Sequence, residues 1–318
     1  MKNKTKKLIL LKSYGQHSNR LIQNLHFEAF CLEHRIEYLN PTFKEDFLYL
    51  NPCSTKTSFY VKFLLTNILV GIGLFKRSKT VKKIFSLYWL FSKVRIIKYI
   101  DYEDEKMYTN CEKKLLNAFE TRKVVFVGGW CFKVPKLIEK HRNALINKYS
   151  LNPIYFENNN FYQKFIKLKK PENILIGIHI RRGDYKEWQQ GKYYFEDDVY
   201  LNYINSLSQK ISRETEKKQI FIIFSNETVN FKEKENLLIS KEDWYIDHLI
   251  MSHCDYLLGT RSTFSLWASY LGNNTFYCIR DRSGNIENTI TDFYENDLAH
   301  ILGEYEAKKV SKIVVSSE

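Results

Sequence analysis

Seven short runs of Ile, Leu, Val and Phe, closed off by Gly, Asn or charged residues, alternate along this chain with stretches of helical spacing. The runs are Leu8 to Leu11, Ile36 to Leu39, Lys123 to Val127, Asn173 to Ile180, Gln219 to Phe224, Tyr256 to Leu258 and Thr275 to Ile279. Continuous apolar runs of this length read as strands buried on both faces. Between them Leu21, Leu25, Ala29, Leu32 and Ile36 recur at helical steps after an expected N-cap at Ser18. Phe264, Trp267, Tyr270 and Leu271 do the same before a stop at Gly272. Such alternation predicts an α/β fold with parallel sheets. The runs fall into two series, parted by the polar tract Glu157 to Asn160 and the segment Lys167 to Pro171. Two lobes are therefore expected, 1–165 and 166–318, with a ligand in the cleft at the carboxyl ends of the strands.

Composition narrows the partner. At 318 residues with 44% hydrophobic and 27% charged side chains, the chain buries real cores and is neither disordered nor a polytopic membrane protein. A net charge of +13 points to something anionic: a phosphorylated ligand, a nucleic acid or a lipid surface. No RNA-binding signature accompanies the charge, and nucleic acid is not expected. Six cysteines stand without a C-x-x-C pair, which signals neither zinc nor a disulfide framework.

Much of the basic excess lies in one region. From Phe47 to Ile100 there is no Asp or Glu, while ten residues from Lys56 to Lys98 are Lys or Arg. One reading is a basic amphipathic surface resting on anionic lipid; the other is a buried helix followed by a solvated basic one. The apolar run Leu8 to Leu11 is far shorter than a signal-peptide core, so the expected location is cytoplasmic, with a peripheral place at the inner face of a bacterial plasma membrane on the first reading.

The segment that carries chemistry is Ile174 to Tyr185, a buried strand running straight into His179, Arg181, Arg182, Gly183 and Asp184. Adjacent residues on a strand point to opposite faces, so Arg181 shares a side with His179 and Arg182 takes the other. Arginine clamps phosphate oxygens through parallel N–H bonds and keeps its charge. Arg181 is expected on a diphosphate; Arg182, counted with the donor site, pairs with Asp184 or another carboxylate. Alternatively both make surface ion pairs. In Asp255 to Trp267 a strand, a hydroxyl-rich turn and a helix start follow one another, and Ser262 or Thr263 caps a helix whose free N–H groups suit a phosphate. Ser225 and Asn226 close another strand with side chains able to read a base or ribose edge. Gly15, His17, Asn19 and Arg20 follow the first strand, where glycine admits close backbone approach. Each also reads as an ordinary turn or cap. The chain has no phosphate loop, no dinucleotide fingerprint, no nucleophile elbow and no D-x-D. An arginine-clamped diphosphate without metal is the economical expectation.

His179 to Tyr185 resembles the H-x-R-R-G-D signature of the α-1,2-fucosyltransferases, relatives of the α-1,6- and protein O-fucosyltransferases. Asp247 to Asp255 with Ser262 to Trp267 resembles that family's downstream block. Leu266 departs from the family's paired Trp, and the loop after the first strand departs from its G-x-G-N-Q, so Gly15 and Asn19 align by position only. The resemblance implies a GT-B-like fold of two Rossmann-like lobes and a GDP-fucose donor with no cofactor or metal. It implies inverting transfer to a glycan hydroxyl, α-1,2 to a galactoside in surface polysaccharide synthesis, on an oligosaccharide or lipid-linked acceptor. It further implies that Arg181 contacts the diphosphate, that His179 and Asp184 organise the same site, and that Ser262, Thr263 and Phe264 lie along the nucleotide. Asp184 leads as general base, with Glu187 and His17 as alternatives. Transfer from GDP-mannose or an ADP-heptose is the rival enzymatic reading, and a non-catalytic RNA-binding protein the rival outside enzymes.

Overall fold

Two parallel sheets organise the computed structural model, which describes residues 6–12, 14–40, 42, 49–50, 98–103, 110–302 and 307–308. The chain divides into two compact units, Met1–Ser150 and Leu151–Glu318.

In the first unit, β1 (Lys7–Leu10), β2 (Glu37–Leu39), β3 (Lys98–Asp101) and β4 (Val124–Gly128) pair in parallel in the order β2-β1-β4-β3. Leu8, Leu10, Val125 and Val127 on the two central strands are fully buried. Helix α1 (His17–Glu33) lays Leu21, Ile22, Leu25, Phe27, Ala29 and Phe30 into this core. It begins one residue before Ser18, on Gln16, and Ser18 is buried within the first turn. It ends at Glu33, because Arg35 takes a left-handed backbone (φ 53°) that turns the chain, leaving Ile36 at the entrance to β2. Helices α2 (Cys111–Thr121), α3 (Pro135–Lys140) and α4 (Arg142–Tyr149) complete the unit.

In the second unit, β5 (Asn173–Ile180), β6 (Lys218–Ser225), β7 (Leu237–Ile239), β8 (Tyr256–Thr260) and β9 (Thr275–Ile279) form a parallel sheet in the order β7-β6-β5-β8-β9. The accompanying helices are α5 (Asn160–Leu168), α6 (Asp197–Glu214), α7 (Trp244–His253), α8 (Thr263–Gly272) and α9 (Phe293–Leu302). Side chains along β5 alternate between two cores. Ile176, Ile178 and Ile180 pack with Tyr203 and Leu207 of α6, whereas Leu175 packs with Ile250 of α7 and Ala268 of α8.

The division between units falls fifteen residues before the 165/166 boundary expected from the sequence. Phe165 of α5 is fully buried in the core that contains Leu175 and Ile220, with Phe161, Tyr162 and Leu168 packed against it. The polar tract that suggested a linker holds the cap of this helix: the Asn159 side chain accepts from the backbone N–H of Tyr162 at 2.8 Å. Except for residues 49–50 and 98–100, the acid-free stretch lies outside the described residues, as does Cys53. The other five cysteines are buried and no disulfide joins them. Among the described residues no helix is long and apolar enough to cross a membrane.

Candidate functional site

The strand order of the second unit reverses between β5 and β8. From β5 the chain proceeds through α6 to β6 on one side and later returns to place β8 on the other. Open parallel sheets bind ligands at this point, in the crevice outside the carboxyl ends of the two strands. The β5–β8 ladder closes at His179 opposite Gly259, and Arg181 and Arg261 each follow two residues later. Gly259 is required there: a Cβ on it would stand 2.7 Å from the His179 carbonyl oxygen.

Beyond β5 the two arginines part as strand alternation predicts. The Arg181 guanidinium, 23% exposed, donates to Asp184 Oδ1 at 2.6 Å and lies 5.4 Å from the centre of the Tyr185 ring. Asp184 is exposed. Gly183 makes the turn between them with φ 65°. Arg182 points the other way and is buried, its guanidinium paired with Asp197 in the first turn of α6 and its backbone N–H donating to Asn226 Oδ1 at 2.9 Å. The partner of Arg182 is thus Asp197 rather than Asp184. Arg182 is buried and its charge is matched within the protein by Asp197.

Beyond β8, Ser262 caps α8 and its Oγ accepts from the Phe264 N–H at 3.2 Å. Thr263 and Phe264 are partly exposed in the first turn. Ser265, fully buried, lies with its Oγ 2.7 Å from His179 Nδ1. The His179 ring stacks on Phe264 at 4.9 Å, and Phe264 stacks on the buried His248 of α7 at 3.7 Å. Burial, reinforced by the Arg181 charge, holds the His179 imidazole down to about 3, so the ring is neutral at any ordinary pH. A neutral His179 carries no positive charge.

Two residues gain importance that the sequence reading did not give them. Arg261 is 5% exposed, donates from one terminal nitrogen to the Tyr193 hydroxyl at 2.8 Å, and has no carboxylate partner among the described residues. Its Nε is buried without a hydrogen-bond partner among the described residues. A buried guanidinium left without a counter-charge is costly, and this one sits directly before a helix N-terminus. The sequence signal was an Arg adjacent to the cap Ser262. Asp247, in the first turn of α7, accepts from the Ser240 hydroxyl just past β7. Burial, with Glu242 and Asp243 adding repulsion, pushes its carboxyl up to about 7. The sequence showed it only as one letter of the downstream block.

Ser225 and Asn226 end β6 as expected. Asn226 is exposed but its Oδ1 holds the Arg182 backbone, and Ser225 Oγ accepts from the Glu227 N–H at 3.2 Å. Gly15 and Asn19 belong to the first unit, with His17. Gly15 is left-handed (φ 60°), the Asn19 amide covers the position a Cβ would take, and Arg20 Nε donates to the Gly15 carbonyl at 3.3 Å. Glu187 lies exposed beyond Asp184. No group of three His, Cys, Asp or Glu able to hold a metal occurs among the described residues.

Residues 158–295, which contain this whole rim, match the model of Glycosyl transferase family 11. The resemblance read from His179 to Tyr185 and from Asp247 to Trp267 is therefore borne out. The O-antigen biosynthesis glycosyltransferase WbnK of Escherichia coli is 24% identical over 180 residues, 52% of this chain and 57% of its own, so the match spans little more than half of that relative. Among solved structures, a point mutant of Arabidopsis thaliana FUT1 in complex with GDP aligns with a TM-score of 0.54 at 13% identity, covering 89% of this chain and 73% of the other. Fucosyltransferase NodZ from Bradyrhizobium aligns at 0.51 and 10% identity, covering 87% and 95%. An α-1,6-fucosyltransferase NodZ crystal soaked with GDP-fucose aligns at 0.50 and 9%, covering the same shares. These likenesses speak to the fold, and the fold is α/β and GT-B-like.

Proposed function

We propose that the protein is an inverting, metal-independent glycosyltransferase that moves fucose from GDP-fucose to a glycan hydroxyl. The observation that carries this reading is the pair Arg181 and Arg261, one on each side of the strand-order reversal, with the N-terminus of α8 beside the second. Three sources of positive potential gather where a parallel sheet binds ligands, and a sugar-nucleotide diphosphate is the anion that suits them. The family match and the GDP-bearing neighbours favour GDP-fucose over GDP-mannose or an ADP-heptose.

In this reading the acceptor hydroxyl attacks the anomeric carbon as GDP departs from the opposite face, and charge grows on the β-phosphate. Arg181 and the α8 N–H groups near Ser262 and Thr263 stabilise that charge more in the transition state than in the ground state. The guanidinium groups fill the part a divalent cation plays elsewhere. Asp184, exposed beside Arg181, takes the hydroxyl proton as general base. Neutral His179 holds Ser265 and Phe264, and so the first turn of α8, in place.

The acceptor is a galactoside of a surface polysaccharide, an oligosaccharide or lipid-linked chain, joined α-1,2. That assignment draws on the motif resemblance and on the O-antigen relative. The acid-free basic stretch supports work at an anionic membrane surface from the cytoplasmic side. The test is a donor panel scored by released nucleotide. GDP-fucose is expected to turn over with a glycan acceptor, while GDP-mannose and ADP-heptose do not; preference for either of the latter displaces the fucose assignment.

A further inference from the structure

The far half of the loop after β5 is given no role in the donor reading above, and it holds the longest run of left-handed backbone among the described residues. Gln189 (φ 47°, ψ 42°), Gln190 (φ 58°, ψ 34°) and Gly191 (φ 72°) hold three left-handed conformations in a row. Side-chain-bearing residues visit that region singly, not in runs. Strain of this kind survives where the surroundings over-determine it, and it gathers at binding sites.

What the strain positions is Trp188. Its indole packs on Tyr185 at 4.9 Å and on Tyr193 at 5.3 Å, both buried, and is itself only half-buried. It belongs to neither core of the unit. The rings beneath it are fastened to the turn between β8 and α8 three times. The Tyr185 hydroxyl donates to the Arg261 carbonyl at 2.8 Å, Thr260 Oγ1 to the Tyr193 carbonyl at 3.0 Å, and Arg261 to the Tyr193 hydroxyl at 2.8 Å. Its chain neighbours Lys186, Glu187, Gln189, Gln190 and Lys192 are all exposed. The Tyr185 ring contacts both Trp188 and the Arg181 guanidinium.

A rigid, half-exposed indole flanked by amides and charges matches one ligand chemistry above others. A pyranose presents a face of C–H groups that an aromatic π-face attracts, and hydroxyls that glutamine amides and carboxylates bind. We propose that residues 184–192 form the acceptor-sugar subsite, with Trp188 as the floor on which a pyranose ring stacks and Gln189 and Gln190 as hydrogen-bonding partners of its hydroxyls. The proposal rests on the glycosyl-transfer reading and adds to it where the acceptor ring lies.

The experiment compares wild type, Trp188→Ala and Trp188→Phe. The sugar probe is whichever simple β-glycoside in a panel of galactosides, glucosides and N-acetylglucosaminides most raises GDP release from GDP-fucose. In Trp188→Ala the KM for that sugar is expected to rise about tenfold while the GDP affinity by calorimetry holds, and Trp188→Phe should recover most of the loss. An unchanged sugar KM in Trp188→Ala, a GDP affinity that falls with it, or a wild type that binds GDP but responds to no sugar in the panel would each overturn the subsite. Absence of GDP binding by folded wild type would instead remove the function on which it rests.

Discussion

His179 on β5 and Gly259 on β8 face each other as register partners, and both arginines assigned to the diphosphate leave the sheet two residues beyond that pair. The glycine lets the strands close without a side chain between them. The β5–β8 ladder therefore brings the chain positions of Arg181 and Arg261 to the ends of neighbouring strands.

Arg181→Ala should remove transition-state stabilisation without unfolding the protein. Its ion-pair partner Asp184 is exposed, and exposed pairs contribute about 1 kcal/mol or less to stability. Turnover should fall by roughly 10²–10³, with the circular dichroism spectrum and melting temperature close to wild type. Near-normal turnover would remove Arg181 from the chemistry.

Arg261→Gln separates a ligand-binding charge from a structural one. Because the guanidinium is buried with no carboxylate partner among the described residues, loss of its charge should leave the melting temperature unchanged or raise it. GDP should then bind about tenfold more weakly. A large drop in melting temperature with GDP affinity retained would mark Arg261 as a purely structural residue.

The two carboxylates near the arginines should respond in opposite ways. Asp197→Asn strands the buried Arg182 charge and should destabilise the fold by about 3–5 kcal/mol in chemical denaturation. Asp184→Asn should cost about 1 kcal/mol or less of stability, yet slow transfer by roughly 10²–10⁴ if the carboxylate takes the acceptor proton. A fast Asp184→Asn enzyme would pass the role of base to Glu187 or to His17.

Asp247 makes stability depend on pH in a direction opposite to an ordinary ion-paired carboxylate. Its native carboxyl titrates near about 7 and an unfolded aspartate near 3.8, so the native state holds the proton more tightly. Stability is accordingly lost as pH rises from about 4 to about 7, by at most about 4 kcal/mol, and levels off above. Asp247→Asn, which still accepts from Ser240, should be the more stable protein near about pH 8 and should lose that advantage near about pH 4. Equal denaturation midpoints at both pH values would contradict the raised native titration. His179 acts with the other sign: its depressed native pKa contributes stability above about 6.5 that is lost as pH falls toward about 3.

The strands that lead to the candidate site are legible in the sequence because they are buried on both faces and end in polar residues. Asn173 to Ile180 was read with its observed bounds, as was Thr275 to Ile279. Two strands escaped. β3 has one buried residue between charged ends and, among the described residues, pairs with β4 alone, and β7 is three residues long at the sheet edge. Strand alternation placed Arg181 and Arg182 on opposite faces, but nothing local names Asp197, fifteen positions later, as the partner of Arg182. The unmatched charge of Arg261, the raised carboxyl of Asp247 and the strained seat of Trp188 are products of packing between distant segments. A sequence read segment by segment does not display them.

The central claim is that Arg181, Arg261 and the start of α8 together form a diphosphate site. Titration calorimetry of the folded protein with GDP tests it most directly. Saturable binding at a single site is expected, strongly weakened by Arg181→Ala; no heat of binding to well-folded wild type, or binding indifferent to that substitution, would contradict it.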